Sequence, residues 1–357
     1  MMIKIRKTDH PRFESFDFSD IKFGRTMSDH MFVADYEDGI WKNIRIEPYG
    51  PLTVDPAMIA LHYGQAIFEG MKATKTYDGI PVIFRPRDHA RRFNVSAHRL
   101  AMPEFPEELF VDAIRHLVGI DHNWIPTGDD AALYIRPLMV ATDNQLGVRA
   151  SDRYKMIIIT APAGPYYSHP IKLLAETYYT RAAKGGIGYV KAAGNYAASL
   201  LPALEAKKKG FDQVLWLDAK EHRFAQEVGT MNIFFVIDGV AITPDTEDKT
   251  ILAGITRDSI IQILRDKGIP VEERKISIDE VMDAHHTGKL TEIFGSGTAA
   301  VVSMVSDLHY KGQDIRINGD YQIAKLVKRE INGIRQGLIE DKFNWLMPAI
   351  VDNDITV

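Results

Sequence analysis

Apolar and polar positions alternate along much of this chain, and where alternation gives way to a spacing of three and four the pattern marks helices. Lys72 to Phe84 alternates around Asp78-Gly79, which predicts a hairpin. Pro86 then opens a run in which Ala90, Phe93, Ala97 and Leu100 fall on one helical face. A second helix starts at Pro106, with Leu109, Phe110, Ala113, Ile114, Leu117 and Val118 forming a wide apolar side. Strands are expected over 132–140 and 154–160. Residues 161–170 carry three prolines and a glycine, which predicts a linker. Beyond it the pattern predicts a helix over 195–209 closed by Gly210, whose Lys207, Lys208 and Lys209 complement the helix dipole at a solvated end. Strands follow over 213–217 and 231–237, with Asp238-Gly239 turning into 240–243. A Thr256-capped helix runs to Gly268-Ile269-Pro270, and a short strand covers 291–294. The last helix, 321–338, turns Ile323, Leu326, Val327, Ile331, Ile334 and Leu338 inward. Strands outnumber parallel crossovers, so the fold class is α+β. The expected division is a smaller N-terminal domain over 1–160, the linker, and a larger C-terminal domain over 171–357.

Composition narrows the function. A length of 357 residues suits two domains, and 25% charged residues exclude a disordered chain. There are no cysteines, which removes disulfides, thiolate metal sites and cysteine nucleophiles; no metal is expected. A net charge of −5 gives no general attraction to nucleic acid or membrane. The first residues lack the apolar stretch of a signal peptide, and no apolar run reaches membrane-spanning length. A cytoplasmic protein is expected.

Four places could carry chemistry. Gly254-Ile255-Thr256-Arg257-Asp258 sets a glycine and a hydroxyl where a loop becomes a helix, and free amides at such an end attract anions. An ordinary capped helix accounts for the same residues. Gly295-Ser296-Gly297-Thr298-Ala299-Ala300 could form an amide nest, although tight packing also selects small residues. Lys191 sits among glycines, alanines and apolar residues, a setting that favours a neutral, nucleophilic amine; a strand-end lysine with its head in water is the plainer reading. Glu227 directly precedes an apolar strand and needs a cationic or hydrogen-bonding partner, either a protonated ring nitrogen or a structural arginine or lysine. A lysine, a buried carboxylate and two phosphate cradles are the parts of a pyridoxal phosphate enzyme. A cofactor-free module for a phosphorylated ligand would use the cradles alone.

The chain resembles the branched-chain amino acid aminotransferases, within the fold-type IV pyridoxal phosphate family. The matching stretches are LHYGQAIFEGMKA (61–73), FRPRDHARRF (84–93), LYIRP (133–137), QLGV (145–148), YVKAAGNYAASL (189–200), QEVGTMNIFF (226–235), ILAGITRDS (251–259) and FGSGTAA (294–300). Together with Phe23-Gly24 and Asp29-His30-Met31 they span nearly the whole chain. A CxxC pair found in some animal members is replaced here by Ala300-Val301-Val302-Ser303.

The resemblance implies a two-domain enzyme with an α/β N-terminal domain and a strongly twisted, barrel-like C-terminal sheet. Its cofactor is pyridoxal 5'-phosphate. It implies ping-pong transfer of the amino group of L-leucine, L-isoleucine or L-valine to 2-oxoglutarate. D-amino acid aminotransferases and aminodeoxychorismate lyases share the fold and stay open as alternatives. Lys191 matches the Schiff-base lysine and Glu227 the partner of the pyridine nitrogen. Arg92, Gly254, Ile255, Thr256, Gly297 and Thr298 match phosphate contacts, Tyr196 the neighbour of the phenolic oxygen, and Thr230 a contact to cofactor and substrate. The substrate pocket corresponds to Phe23, Tyr63, Phe68, Tyr134, Arg136, Tyr166, Thr230 and Ala299. Leu146 and Val148 match residues that reach a partner subunit's site, which implies a homodimer.

Overall fold

The computed structural model describes residues 2–165 and 169–351. The chain divides into two compact units, one of Met1–Tyr166, Lys191–Ala193 and Asn332–Val357, the other of Tyr167–Val190 and Gly194–Ile331. The first, not the second, is therefore the larger. A linear reading of the sequence gives no hint that residues 332–351 return to the first unit.

The first unit is built on β1 (Lys4–Ile5), β2 (His30–Glu37), β3 (Ile40–Pro48), α1 (Ile59–Tyr63), β4 (Ala66–Phe68), β5 (Met71–Lys75) and β6 (Pro81–Phe84). It continues with α2 (Pro86–Arg99), α3 (Glu107–Ile120), β7 (Ala132–Ala141) and β8 (Tyr154–Ala163). The strands form one sheet in the order β1-β3-β2-β8-β7-β5-β6, antiparallel apart from the β1–β3 pair, with β4 also on β7. The expected linker does not begin at residue 161: Ala161, Pro162 and Ala163 pair with Tyr134, Leu133 and Ala132 and extend β8. Pro162 lies opposite Leu133, buried with its neighbours, and packing outweighs its missing donor.

Pro86 stands at the start of α2, where its fixed φ costs nothing, and Arg85 before it takes a left-handed φ of 52°. The buried side of α3 (Leu109, Phe110, Ile114, Leu117, Val118) packs with Phe93 and Ala97 of α2 and with Phe32 and Ile83 of the sheet. Each such large side chain removed from water contributes about 1.5–3 kcal/mol, so this face anchors α2.

The second unit holds β9 (Ile171–Ala175), most of α4 (Ala193–Ala198), α5 (Leu200–Lys208), β10 (Gln213–Leu217), β11 (Ala225–Val228), β12 (Met231–Ile237) and β13 (Val240–Thr243). It then adds α6 (Ile255–Asp266), β14 (Val271–Glu273), α7 (Ile278–His286), β15 (Leu290–Gly297), β16 (Val301–Tyr310), β17 (Gln313–Arg316) and the start of α8 (Gln322–Arg335). In the first unit β18 (Leu346–Pro348) closes the list by pairing with β6. The path β11-β10-β9-β16-β15-β12 returns on itself through the β11–β12 pair, a closed barrel with β13, β14 and β17 added outside the ring.

The expected single helix over 195–209 is two, α4 and α5, broken at Ser199. Pro202 explains the break, because its ring cannot sit above the carbonyl of Ala198 in a continuous helix. The helix α6 is capped by Gly254 with extended backbone rather than by Thr256, which lies inside the first turn. Gly295, Ser296 and Gly297 continue the β15 ladder opposite Ile233, Asn232 and Val301, so the expected nest is confined to the turn after them. Leu338 falls beyond α8 and is exposed; Val327, Ile331 and Ile334 are buried as expected.

Candidate active site

In the first unit the functional side chains gather around β4 and β7. Tyr134 and Arg136 share one face of β7, as strand alternation requires, and Arg136 Nη2 donates to the Tyr134 hydroxyl at 3.0 Å. The Arg136 guanidinium lies 4.7 Å from the Phe68 ring centroid and 5.3 Å from that of Tyr134. Arg136 Nε is buried without a hydrogen-bond partner among the described residues, so this cation is only partly satisfied by the protein. Phe23 meets Tyr134 edge to face at 5.0 Å. Gly70 allows the hydroxyl its place, since a Cβ there would lie 2.1 Å from it.

Lys191 belongs to the same unit. A bridge from Ile67 to Ala192 and a hydrogen bond from the Phe68 N–H to the Lys191 carbonyl lay this segment along β4. The Lys191 N–H donates to Ser96 Oγ on α2 at 3.0 Å. Its Nζ stands 4.6 Å from the Phe68 centroid, so one ring touches both Lys191 and Arg136. The side chain is half-buried, more open than its apolar sequence neighbours imply.

Arg92, one turn before Ser96, is held by an acid that the sequence reading missed. Arg92 Nε and Nη2 donate to the two oxygens of Glu69 at 2.7 and 2.8 Å, and His89 Nδ1 stands 2.7 Å from Glu69 Oε2. Glu69 has no exposed side-chain surface. Burial by itself would raise its carboxyl; Arg92 and His89 overcome that and hold it far below the usual carboxylate range. Burial pushes the His89 imidazole down, with Glu69 opposing. No sequence pattern singled out Glu69, because its partners stand 20 and 23 residues away.

Tyr63 ends α1 and donates its hydroxyl to the Leu146 carbonyl. Leu146 and Val148 are both largely exposed. Tyr166 lies outside the described residues.

In the second unit Glu227 sits on β11, cross-strand from Asn232 on β12, with Gly229-Thr230 as the turn between. Its expected cationic partner is Arg181: Nε stands 2.8 Å from Glu227 Oε2, with the two side chains 9% and 3% exposed. Glu227 Oε1 accepts from the Leu252 N–H at 2.7 Å, and Asn232 Nδ2 donates to the Leu252 carbonyl at 2.9 Å. This cross-strand pair therefore grips both polar groups of the peptide segment leading into α6. Gly254 follows, and a Cβ there would come within 1.9 Å of Asn232 Oδ1.

Gly254, at the cap of α6, brings no side chain of its own to the first turn, where Ile255 and Thr256 are buried. Ser296 Oγ is buried without a partner among the described residues. The orphaned Ser296 hydroxyl, in the same unit as the first turn of α6, suits an anionic group. Thr298 and Ala299 lie in the turn after β15, which ends on Val301 at a φ of 60°, strained for a β-branched residue. Tyr196 is on α4; Asn195 beside it donates to the carbonyls of Ile187 and Val190, bracing the loop that precedes Lys191. A cavity of about 400 Å³ in this unit, lined by Lys184, Gln226, Asp248 and Lys275 among others, includes none of the residues singled out from sequence.

A closed-barrel unit and an antiparallel-sheet unit make up the two-domain α+β architecture of the class IV aminotransferases. The family model for amino-transferase class IV matches residues 66–308, and the chain belongs to that family. It is 48% identical over 340 residues to branched-chain-amino-acid transaminase 1 of Bacillus subtilis, covering 93% of this chain and 95% of that one. A solved branched-chain aminotransferase from the archaeon Thermoproteus uzoniensis, with norvaline, superposes with a TM-score of 0.74 at 27% identity, over 89% of this chain and all of that one. Another, from T.th. and complexed with N-(5'-phosphopyridoxyl)-L-glutamate, gives 0.71 at 28% identity, over 88% and 97%.

Proposed function

We propose that this chain is a pyridoxal 5'-phosphate-dependent aminotransferase that moves the amino group of L-leucine, L-isoleucine or L-valine to 2-oxoglutarate, giving the branched-chain 2-oxo acid and L-glutamate. One observation carries the reading: the amine of Lys191 and the guanidinium of Arg136 lie 4.6 and 4.7 Å from the same Phe68 ring. An apolar wall with a cation beside it accepts both a branched aliphatic side chain and a carboxylate. The names of the relatives support the substrate class, and the phosphopyridoxyl adduct in one of them supports the cofactor.

When bound, pyridoxal phosphate supplies an electron-accepting ring that stabilises negative charge at the substrate α-carbon. The chain's residues do the rest. Lys191 Nζ would hold the cofactor and, as a free amine, would take the proton from the substrate α-carbon and return it as general acid. Glu227 would keep a proton on the ring nitrogen. Arg92, the first turn of α6 at Gly254, Ile255 and Thr256, and Gly297 and Thr298 would hold the phosphate. Tyr196 would serve the cofactor's phenolic oxygen. Phe23, Tyr63, Phe68 and Tyr134 exclude water from the aliphatic side chain, with Thr230, Tyr166 and Ala299 completing the pocket. Arg136 receives the side-chain carboxylate of glutamate. Leu146 and Val148 serve the site of a second copy, so the working form is a homodimer, and the enzyme acts in the cytoplasm.

A scan of L- and D-amino acids as donors to 2-oxoglutarate tests this. L-leucine, L-isoleucine and L-valine should yield glutamate; turnover of D-amino acids, or of aminodeoxychorismate alone, would assign the fold to a different reaction.

A further inference from the structure

Arg181 has no place in the roles assigned above, yet it occupies the centre of the second unit's polar network. Each of its three guanidinium nitrogens meets a different segment. Nε faces Glu227 Oε2 at 2.8 Å, Nη1 donates to the Thr250 carbonyl at 2.9 Å, and Nη2 donates to the Gly188 carbonyl at 3.1 Å. Thr250 lies two residues before Leu252, whose N–H holds the other Glu227 oxygen. Gly188 lies in the glycine-rich loop three residues before Lys191. The approach is close: a Cβ on Gly188 would stand 2.3 Å from the Ala182 Cβ and 2.5 Å from the Thr250 carbonyl oxygen. The loop is thus fitted against the residues flanking this guanidinium.

We infer that Arg181 is the positioning residue that keeps Glu227 ionised and aimed, and that ties Glu227 to the loop leading into Lys191. This rests on the reading that Glu227 faces the ring nitrogen. A carboxyl buried as deeply as Glu227 would be neutral without a cation at hand, and a neutral carboxyl cannot stabilise a protonated pyridine. The fork of an arginine is needed because three segments are joined in one plane. A lysine would supply the charge and lose the bridge.

The test uses the holoenzyme loaded with pyridoxal phosphate carrying ¹⁵N in the ring, whose chemical shift reports directly on protonation. The wild type should give the protonated signal. Glu227→Gln should move it to the unprotonated position, Arg181→Gln should move it the same way, and Arg181→Lys should leave it near the wild type. Single-turnover rates with leucine complete a double-mutant cycle. Arg181→Gln alone should lose about ten- to a hundredfold, the range for a hydrogen bond to a charged group, and far less once Glu227 is already Gln. Should Arg181→Gln fail to fold, Arg181→Met serves in its place, and the Lys variant still separates charge from bridging. An unmoved signal in Arg181→Gln beside a moved one in Glu227→Gln, or additive losses in the cycle, would overturn the role of Arg181. An unmoved signal in Glu227→Gln would instead overturn the reading of Glu227 on which it rests.

Discussion

Replacing Glu69 by Gln perturbs the network that holds Arg92. In the wild type one carboxylate accepts two hydrogen bonds from Arg92, faces His89, and accepts a fourth contact from the Gly70 N–H at 3.2 Å. The side chain is wholly buried and Arg92 is 10% exposed, so water cannot replace the lost charge. Gln keeps the shape and one accepting oxygen but turns an NH₂ toward donors. Removing one partner of a buried ion pair costs about 3–5 kcal/mol. Two charge-assisted hydrogen bonds at roughly 1.5–3 kcal/mol each sum to about 3–6 kcal/mol, an overlapping range. Urea unfolding of the apoprotein, followed by intrinsic fluorescence near pH 7.5, should therefore show a loss of about 3 kcal/mol or more. If Arg92 binds phosphate, inorganic phosphate should restore more of the variant's stability than it adds to the wild type, because the dianion replaces the missing negative charge. A loss below about 1 kcal/mol, the scale of a solvated surface pair, would refute the buried network.

Three further outcomes follow. Lys191→Ala should abolish turnover while preserving the fold, with a loss of about 100- to 10,000-fold or more, the scale of a positioned acid–base group; borohydride reduction of the wild type that tethers cofactor to any other lysine would reassign the role. Arg136→Gln should slow the half-reaction with glutamate or 2-oxoglutarate by about ten- to a hundredfold and spare the one with leucine, and stopped-flow traces showing equal losses would make Arg136 a support rather than a reader of substrate. Acidification should destabilise the first unit. In the unfolded chain His89 and Glu69 take up protons near 6.5 and 4.5, whereas in the fold both do so only at lower pH. Stability from both is complete above the upper value and falls as pH drops below it, so a urea midpoint unchanged between about pH 7 and pH 4 would count against this.

Much of the scaffold was legible from local pattern. The strands over 213–217, 231–237 and 240–243 have the expected limits, because each is an apolar run bounded by turn residues. The helix opened by Pro86 and the shared face of Tyr134 and Arg136 were equally readable from spacing. The β2–β3 hairpin around Asp38-Gly39 carries the same turn signal as 78–79 and could have been read from it, as could the Ser277 cap of α7, which accepts from the Glu280 N–H. What local pattern could not reveal was partnership. Arg181 falls outside the stretches that carry the resemblance and Glu69 inside the first of them, but in neither place does local spacing name a partner; only the folding of distant segments makes one the cation of Glu227 and the other the acid of Arg92. The return of residues 332–351 to the first unit is likewise a tertiary event without a local signal.

The most direct test of the proposed chemistry is the half-reaction in isolation. Mixed with L-leucine and no oxo acid, the purified holoenzyme should release one equivalent of 4-methyl-2-oxopentanoate per bound cofactor and stop. Later addition of 2-oxoglutarate should then give one equivalent of L-glutamate. Absence of oxo acid in the first step, or the same burst with D-leucine, would contradict it.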